Sequence, residues 1–130
     1  MLNIEVETML EMINKDILPA AFKYINAVST TALNLKAVVP DAKMGAQKAL
    51  LAKLDGLVDE LAEKETELSK KHLAAKSAGN VMQIARAYVD TVIPAMAEAR
   101  AVADEIEPLL GEEYKPFPSY EDLLFKIRGE

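Results

Sequence analysis

The side chain most able to do chemistry in this sequence is His72, the only histidine of the chain. Helical proteins that hold two metal ions between their helices use several glutamates together with two Glu-x-x-His units. The residue three positions before His72 is Ser69, so this pattern is absent. His72 follows Lys70 and Lys71 near a predicted helix C-terminus, where a cation complements the helix dipole. We therefore predict a solvated helix end and no metal site.

Other kinds of catalytic or cofactor site also lack their residues. The chain has no cysteine, no Gly-x-Ser-x-Gly motif and only five scattered glycines, which excludes a thiolate nucleophile and a glycine-rich phosphate loop. The remaining charged candidates are interpreted as surface or structural groups: Glu5, Glu7 and Glu11 as a solvated first turn, Asp16 and Asp90 as structural residues beside prolines, and Arg86 and Arg100 as partners in ion pairs. From the residues alone we predict no catalytic, cofactor-binding or metal-binding residue.

Composition predicts a soluble helical protein of the cytoplasm. Hydrophobic residues make up 51% of the 130 residues and aromatic residues 5%, so the interior must be aliphatic. The net charge is -6 and no basic stripe is visible, which argues against nucleic-acid binding. No apolar run approaches the roughly 20 residues of a membrane span, and the N-terminus is acidic where a signal peptide is basic. The six methionines are interpreted as core-filling residues before a binding groove.

Apolar periodicity predicts an all-α fold with three long helices, over residues 3–37, 42–76 and 80–110. Pro40 ends the first helix, Gly79 ends the second, and Asn80 with Gln83 forms a capping box that begins the third. The third helix organises the bundle, because it carries two adjacent apolar stripes. One stripe comprises Val81, Ala85, Tyr88, Val92, Ala95, Ala99, Val102, Ile106 and Leu109; the other comprises Met82, Ala85, Val89, Val92, Met96, Ala99, Ala103, Ile106 and Leu110.

Short connections predict that the three helices run up, down and up. Pro19 and Pro94 occur in similar contexts, Asp-Ile-Leu-Pro-Ala and Thr-Val-Ile-Pro-Ala. A proline inside a helix removes one backbone hydrogen bond, so we predict a kink in the first and third helices at these positions. Pro108 is expected to disturb the last turns before Gly111.

The C-terminal residues differ in character from the bundle. We divide the chain into a helical bundle, residues 1–113, and an aromatic and proline-rich tail, residues 114–130, which packs on the bundle or on a partner. Ser119 with Asp122 predicts a cap for a short C-terminal helix. The tail holds the residues predicted to form an interface, which are Phe117, Tyr120, Leu124 and Phe125.

Three blocks of sequence carry a resemblance to a known family. Asn3-Ile4-Glu5 through Asp16-Ile17-Leu18-Pro19-Ala20, the segment around Ile93-Pro94-Ala95-Met96 and Arg100–Glu107, and Pro116–Phe125 resemble, in order, the C-terminal helical domain of type III glutamine synthetases. These enzymes are ATP-dependent glutamate–ammonia ligases.

The resemblance implies a non-catalytic domain that supports the structure and oligomer assembly of the full-length enzyme. ATP and Mg²⁺ would bind in the catalytic domain of the parent, and this chain would hold no cofactor. Its partners would be that catalytic domain or neighbouring subunits of a homo-oligomer, with no nucleic acid and no membrane. Met1 directly before this segment favours a domain cut from a longer protein or a shortened homologue. A stand-alone helical adaptor for protein interactions remains an alternative.

Overall fold

The structure, a computed structural model, describes residues 2–116, and all the regular secondary structure in this range is helical. The helices form three runs. Run 1 covers residues 2–38, run 2 is one long helix, and run 3 covers residues 81–109. The all-α class predicted from periodicity is confirmed. No helix among residues 2–116 is long and apolar enough to cross a membrane.

Run 1 consists of helix α1 (Leu2–Met12), a π-helical segment (Ile13–Ile17) and helix α2 (Leu18–Val38). It ends within one residue of the predicted position, because Pro40 disfavours helical geometry in Val39. Val39 has φ -124° and ψ 87°, outside the helical region.

Run 2 is helix α3 (Gly45–Lys76), and it begins three residues later than predicted. The backbone turns at Ala42, whose N–H donates to the Val39 carbonyl over 2.9 Å. Met44 then has φ 53°, a left-handed conformation that cannot continue a right-handed helix. The prediction placed the start too early because propensity gives no sign of this conformation in a methionine.

Run 3 consists of helix α4 (Val81–Ala87), a second π-helical segment (Tyr88–Val92), helix α5 (Ile93–Ile106) and a 3₁₀ turn (Glu107–Leu109). The predicted capping box is confirmed, since the Asn80 side chain accepts from the Gln83 N–H and the Gln83 side chain accepts from the Asn80 N–H, both at 2.9 Å. Gly79 precedes it with φ +133°. At the other end the α-helix stops at Ile106 and Pro108 lies in the 3₁₀ turn, so the disturbance predicted at Pro108 is confirmed.

Each π-helical segment ends two residues before a proline, Pro19 in run 1 and Pro94 in run 3. The N–H of Leu18 donates to the Ile13 carbonyl and that of Ile93 to the Tyr88 carbonyl, five residues back in both cases. A proline has no N–H to donate, so the preceding turn widens to satisfy the backbone groups that remain. The predicted kinks stay predictions, whereas the paired π segments are a finding.

The core consists of two clusters of buried side chains, and each draws on all three runs. The larger comprises Ile13, Ala21, Leu54, Val58, Leu61, Ala99, Val102, Ile106 and Leu110; the smaller comprises Val6, Leu68, Ala75, Tyr88, Val92 and Ala95. Four buried alanines allow close approach of the helices, and the aliphatic interior expected from composition is confirmed.

The predicted apolar stripes on run 3 are wrong at their N-terminal end, in α4. Val81 and Ala85 are exposed, whereas Ile84 and Ala87 pack against the smaller cluster. The reason is the π segment, which contains one residue more than an α-helical turn. In α4, which precedes this segment, each core-facing residue therefore lies one position earlier in the sequence than a constant helical period predicts.

Candidate functional site

His72 lies in a buried polar cluster where the three runs meet. Its side chain is only 5% exposed, so the prediction of a solvated helix end is wrong for this residue. His72 stands four residues after Leu68 and three before Ala75, both buried, and so continues the core-facing stripe of α3. That spacing was visible in the sequence, but the two adjacent lysines suggested solvent instead.

Tyr88, at the start of the second π segment, is the main partner of His72. Its hydroxyl lies 2.9 Å from His72 Nδ1 and 3.4 Å from Asn3 Oδ1, and the two rings meet edge to face with centroids 5.8 Å apart. Burial, and to a smaller extent the charge of Glu7, raises the pKa of the Tyr88 phenol. The phenol therefore remains a neutral hydrogen-bonding group over a wider pH range than an exposed tyrosine.

Glu7 of α1 completes this cluster from the solvent side. Its Oε1 lies 3.6 Å from His72 Nε2 and 3.9 Å from Lys76 Nζ. His72 Nε2 is buried and forms no hydrogen bond with any residue in the range 2–116. Glu7 was predicted to belong to a solvated turn, and its carboxylate is indeed about half exposed, but it also contacts a buried imidazole.

This cluster connects all three runs. Its side chains are Asn3 and Glu7 of α1, His72 and Lys76 of α3, and Tyr88 of run 3. It offers one carboxylate and one imidazole. Within residues 2–116 no group of three or more His, Cys, Asp or Glu side chains could hold a metal ion. The arrangement fits a structural contact between helices.

The other charged candidates are dispersed over the surface. Asp16 and Asp90 are exposed, each within a π segment, and Glu11 pairs with Lys15 at 3.1 Å. Within residues 2–116 neither Arg86 nor Arg100 forms an ion pair, so that interpretation stays a prediction.

A charged link also joins α3 to α5. Lys64 Nζ lies 3.3 Å from Glu98 Oε1, and this hydrogen bond, followed by the charges of Glu98 and Glu67, raises the pKa of the ammonium.

A groove of about 720 Å³ runs between α1 and α5. We call it the α1/α5 groove. Met9 and Met12 line one wall, Met96 and Ala103 line the other, and Pro116 lies at one end. The prediction that methionines fill the core before forming a groove is therefore only partly right: three of six line this groove, and Met82 is exposed. Sequence reasoning missed the groove because it depends on the spacing of two helices distant in the chain.

The interface residues predicted in the tail, Phe117, Tyr120, Leu124 and Phe125, lie outside the described residues. Just before them, Tyr114 packs against Tyr24 of α2 with ring centroids 5.1 Å apart. The last described part of the chain is therefore held against run 1.

Comparison with known proteins supports the sequence resemblance. Residues 1–36 match the family model described as the glutamine synthetase C-terminal domain. Over 127 residues, 98% of this chain, the sequence is 29% identical to a glutamine synthetase of Butyrivibrio fibrisolvens. The chain spans 18% of the length of that relative. No solved structure matches. The predicted resemblance is thereby confirmed: α1, the first π segment and most of α2 match the C-terminal domain of glutamine synthetases, and nearly the whole chain is similar to one such protein.

Proposed function

We propose that this chain is the non-catalytic C-terminal domain of a type III glutamine synthetase, an ATP-dependent glutamate–ammonia ligase of the cytoplasm. Its role is to support the structure and the oligomer assembly of the full-length enzyme. The observation that carries the proposal is the combination of coverage values, since the relative accounts for 98% of this chain but the chain for only 18% of the relative. A segment of that proportion corresponds to one domain of the larger protein.

The assignment to type III depends on the sequence blocks at both ends of the chain. The first block lies within the residues matched by the family model, and the block around Pro94 lies in run 3. ATP and Mg²⁺ would be bound by the catalytic domain of the parent enzyme. The buried His72 and Tyr88 side chains contact each other at hydrogen-bond distance, as expected of a structural contact between helices.

We further infer that the three runs are arranged up, down and up, which would give the domain a stiff shape suited to bracing. The order of the two core clusters supports this. Along run 1 and run 3 the smaller cluster comes first, from Val6 and Tyr88, and the larger follows. Along α3 the order is reversed, from Leu54 to Ala75.

Deletion of the tail from the full-length enzyme tests the assembly role. We expect removal of residues 114–130 to reduce the oligomer size, measured by light scattering, or to lower the melting temperature. A shorter deletion of residues 117–130 keeps the contact between Tyr114 and Tyr24 and separates tail loss from damage to the bundle. An enzyme that keeps its assembly and melting temperature after both deletions contradicts the proposal.

The non-catalytic assignment is tested with the isolated chain. Supplied with glutamate, ammonia, ATP and Mg²⁺, it is expected to form no glutamine, while the full-length enzyme under identical conditions serves as the positive control. Glutamine formation by the isolated chain would overturn this part of the proposal.

A further inference from the structure

The α1/α5 groove has an apolar floor and a charged rim. Ile13 and Ala99 lie at its base and are buried, whereas Glu5, Arg100 and Asp104 lie along its edges and are exposed. A helix or extended segment with one apolar face fits this kind of surface, because its apolar side chains enter the floor while its polar side chains reach the rim.

The described chain ends in this groove. Leu110 and Pro116 both line it, and the packing of Tyr114 against Tyr24 holds the intervening backbone against the bundle. The residue that follows Pro116 is Phe117, the first of the tail's apolar side chains. The local concentration of the tail at this groove is therefore high, as for any segment joined by a short connection.

The length and pattern of the tail also fit the groove. Between Met96 and Ile106 the groove follows α5 for roughly 15 Å at 1.5 Å per helical residue, and residues 119–130 cover a similar distance if helical. Tyr120, Leu124 and Ile127 are spaced by four and three residues, which predicts one apolar face on the short helix that the sequence predicts from Ser119 onward.

We propose that residues 117–127, the central part of the tail, dock in the α1/α5 groove of the same molecule. The proposal does not depend on the enzyme assignment, because it concerns contacts within the chain. If the tail docks there, the surface that remains for a larger assembly is the outer face of the docked tail together with the groove rim.

The absence of tryptophan and cysteine from the sequence makes a specific test possible. In the Leu124→Trp variant of the 130-residue chain, the single tryptophan reports on the predicted apolar face of the tail. We expect emission at short wavelength and a several-fold lower acrylamide quenching constant than in the unfolded chain. Adding Met96→Glu, in the groove wall, should shift the emission to long wavelength and restore quenching. Adding Met82→Glu, on the same run but exposed, should change neither.

Disulfide formation provides a second measurement that leaves the core intact. Arg100→Cys, on the exposed rim, combined with Leu124→Cys should give an intramolecular disulfide under mild oxidation. Glu63→Cys, exposed on α3 and not among the groove residues, combined with Leu124→Cys should form it at least several-fold more slowly.

A tryptophan at position 124 that is fully accessible in the folded chain would overturn the proposal. Equal disulfide yields from positions 100 and 63 would also overturn it. Shielding that disappears on dilution, with disulfides formed between molecules, would assign the groove to a second copy of the chain and equally reject docking in the same molecule.

Discussion

One polar cluster connects the three helical runs, through Glu7 of run 1, His72 of run 2 and Tyr88 of run 3. Two of the three are buried, so each polar atom without a partner costs free energy, and the hydrogen bond between His72 and Tyr88 recovers part of that cost. The third, Glu7, remains in contact with water and places its carboxylate beside the buried imidazole. The cluster therefore fixes the relative positions of the helices at this level of the bundle.

Replacement of His72 tests this role. We expect His72→Ala to lower the free energy of unfolding by about 1–3 kcal/mol, because it leaves the Tyr88 hydroxyl without its closest partner and opens space in the core. The measurement is urea denaturation followed by circular dichroism. Leu73→Ala is the control: Leu73 is the next residue and is 62% exposed, so its effect should stay within about 0.5 kcal/mol. Equal losses for both variants would contradict the assigned role.

The raised pKa of Tyr88 predicts a dependence on alkaline pH. Below about pH 10 the phenol is neutral in both the folded and unfolded chain, so its contribution to stability is complete. As pH rises further, the unfolded chain releases this proton first, and the free energy of unfolding falls until the folded phenol also ionises.

The Tyr88→Phe variant isolates this contribution. At neutral pH it should be less stable than the parent by about 1 kcal/mol, because it loses a hydrogen bond. Above about pH 10 the difference between the two proteins should shrink. A constant difference from pH 7 to pH 11, measured by urea denaturation, would contradict the expected titration.

At the scale of elements, a helix boundary could be predicted from the sequence where a few neighbouring residues act directly on the backbone. The capping box of Asn80 and Gln83 and the end of run 1 before Pro40 were predicted, since each depends on the chemistry of a few neighbours. The start of α3 was placed wrongly because Met44 adopts a left-handed conformation. The π segments were missed because their extra residue shows only as a shift between buried positions before and after them.

Two glycines provide a test of these element boundaries. Gly79 has a positive φ, and a Cβ there would collide with the Gln83 side chain that completes the capping box. Gly79→Ala should therefore destabilise the protein by about 1–2 kcal/mol. Gly56 lies within α3 with open space around it, so Gly56→Ala should stabilise it by about 0.5–1 kcal/mol. Thermal unfolding of both variants checks the prediction. Melting temperatures that shift in the same direction in both variants would contradict it.

For the whole molecule, composition and periodicity sufficed for the helical class and for most of the aliphatic core. They did not suffice for the buried position of His72 or for the α1/α5 groove, because both depend on which helices lie side by side. The surface role of Glu5 and Glu11 could be predicted, since these residues act locally. A groove shaped by Met9 and Met96 requires tertiary structure.

Close packing around small residues yields a prediction for the bundle as a whole. Ala99 is fully buried in the larger cluster, where side chains from all three runs meet. Ala99→Leu should cost about 1–3 kcal/mol, because the larger side chain forces the helices apart. Ala97→Leu, at an exposed position of the same helix, should change stability by less than about 0.5 kcal/mol. Chemical denaturation of both variants measures the two changes in the free energy of unfolding. An Ala99→Leu variant as stable as the parent would show that the helices are not closely packed there.

The π segment Tyr88–Val92 contains one residue more than an α-helical turn and so sets which face of α4 packs on the bundle. Helix α4 has a pair of apolar residues on each of two faces. Ile84 and Ala87 now face the bundle, while Val81 and Ala85 are left in water. If the wide turn narrowed to ordinary pitch, α4 would rotate by about 100° and the second pair would take the place of the first. A homologue lacking one residue here would wind as an ordinary α-helix and would keep Ile84 and Ala87 on the bundle side, with α5 in register.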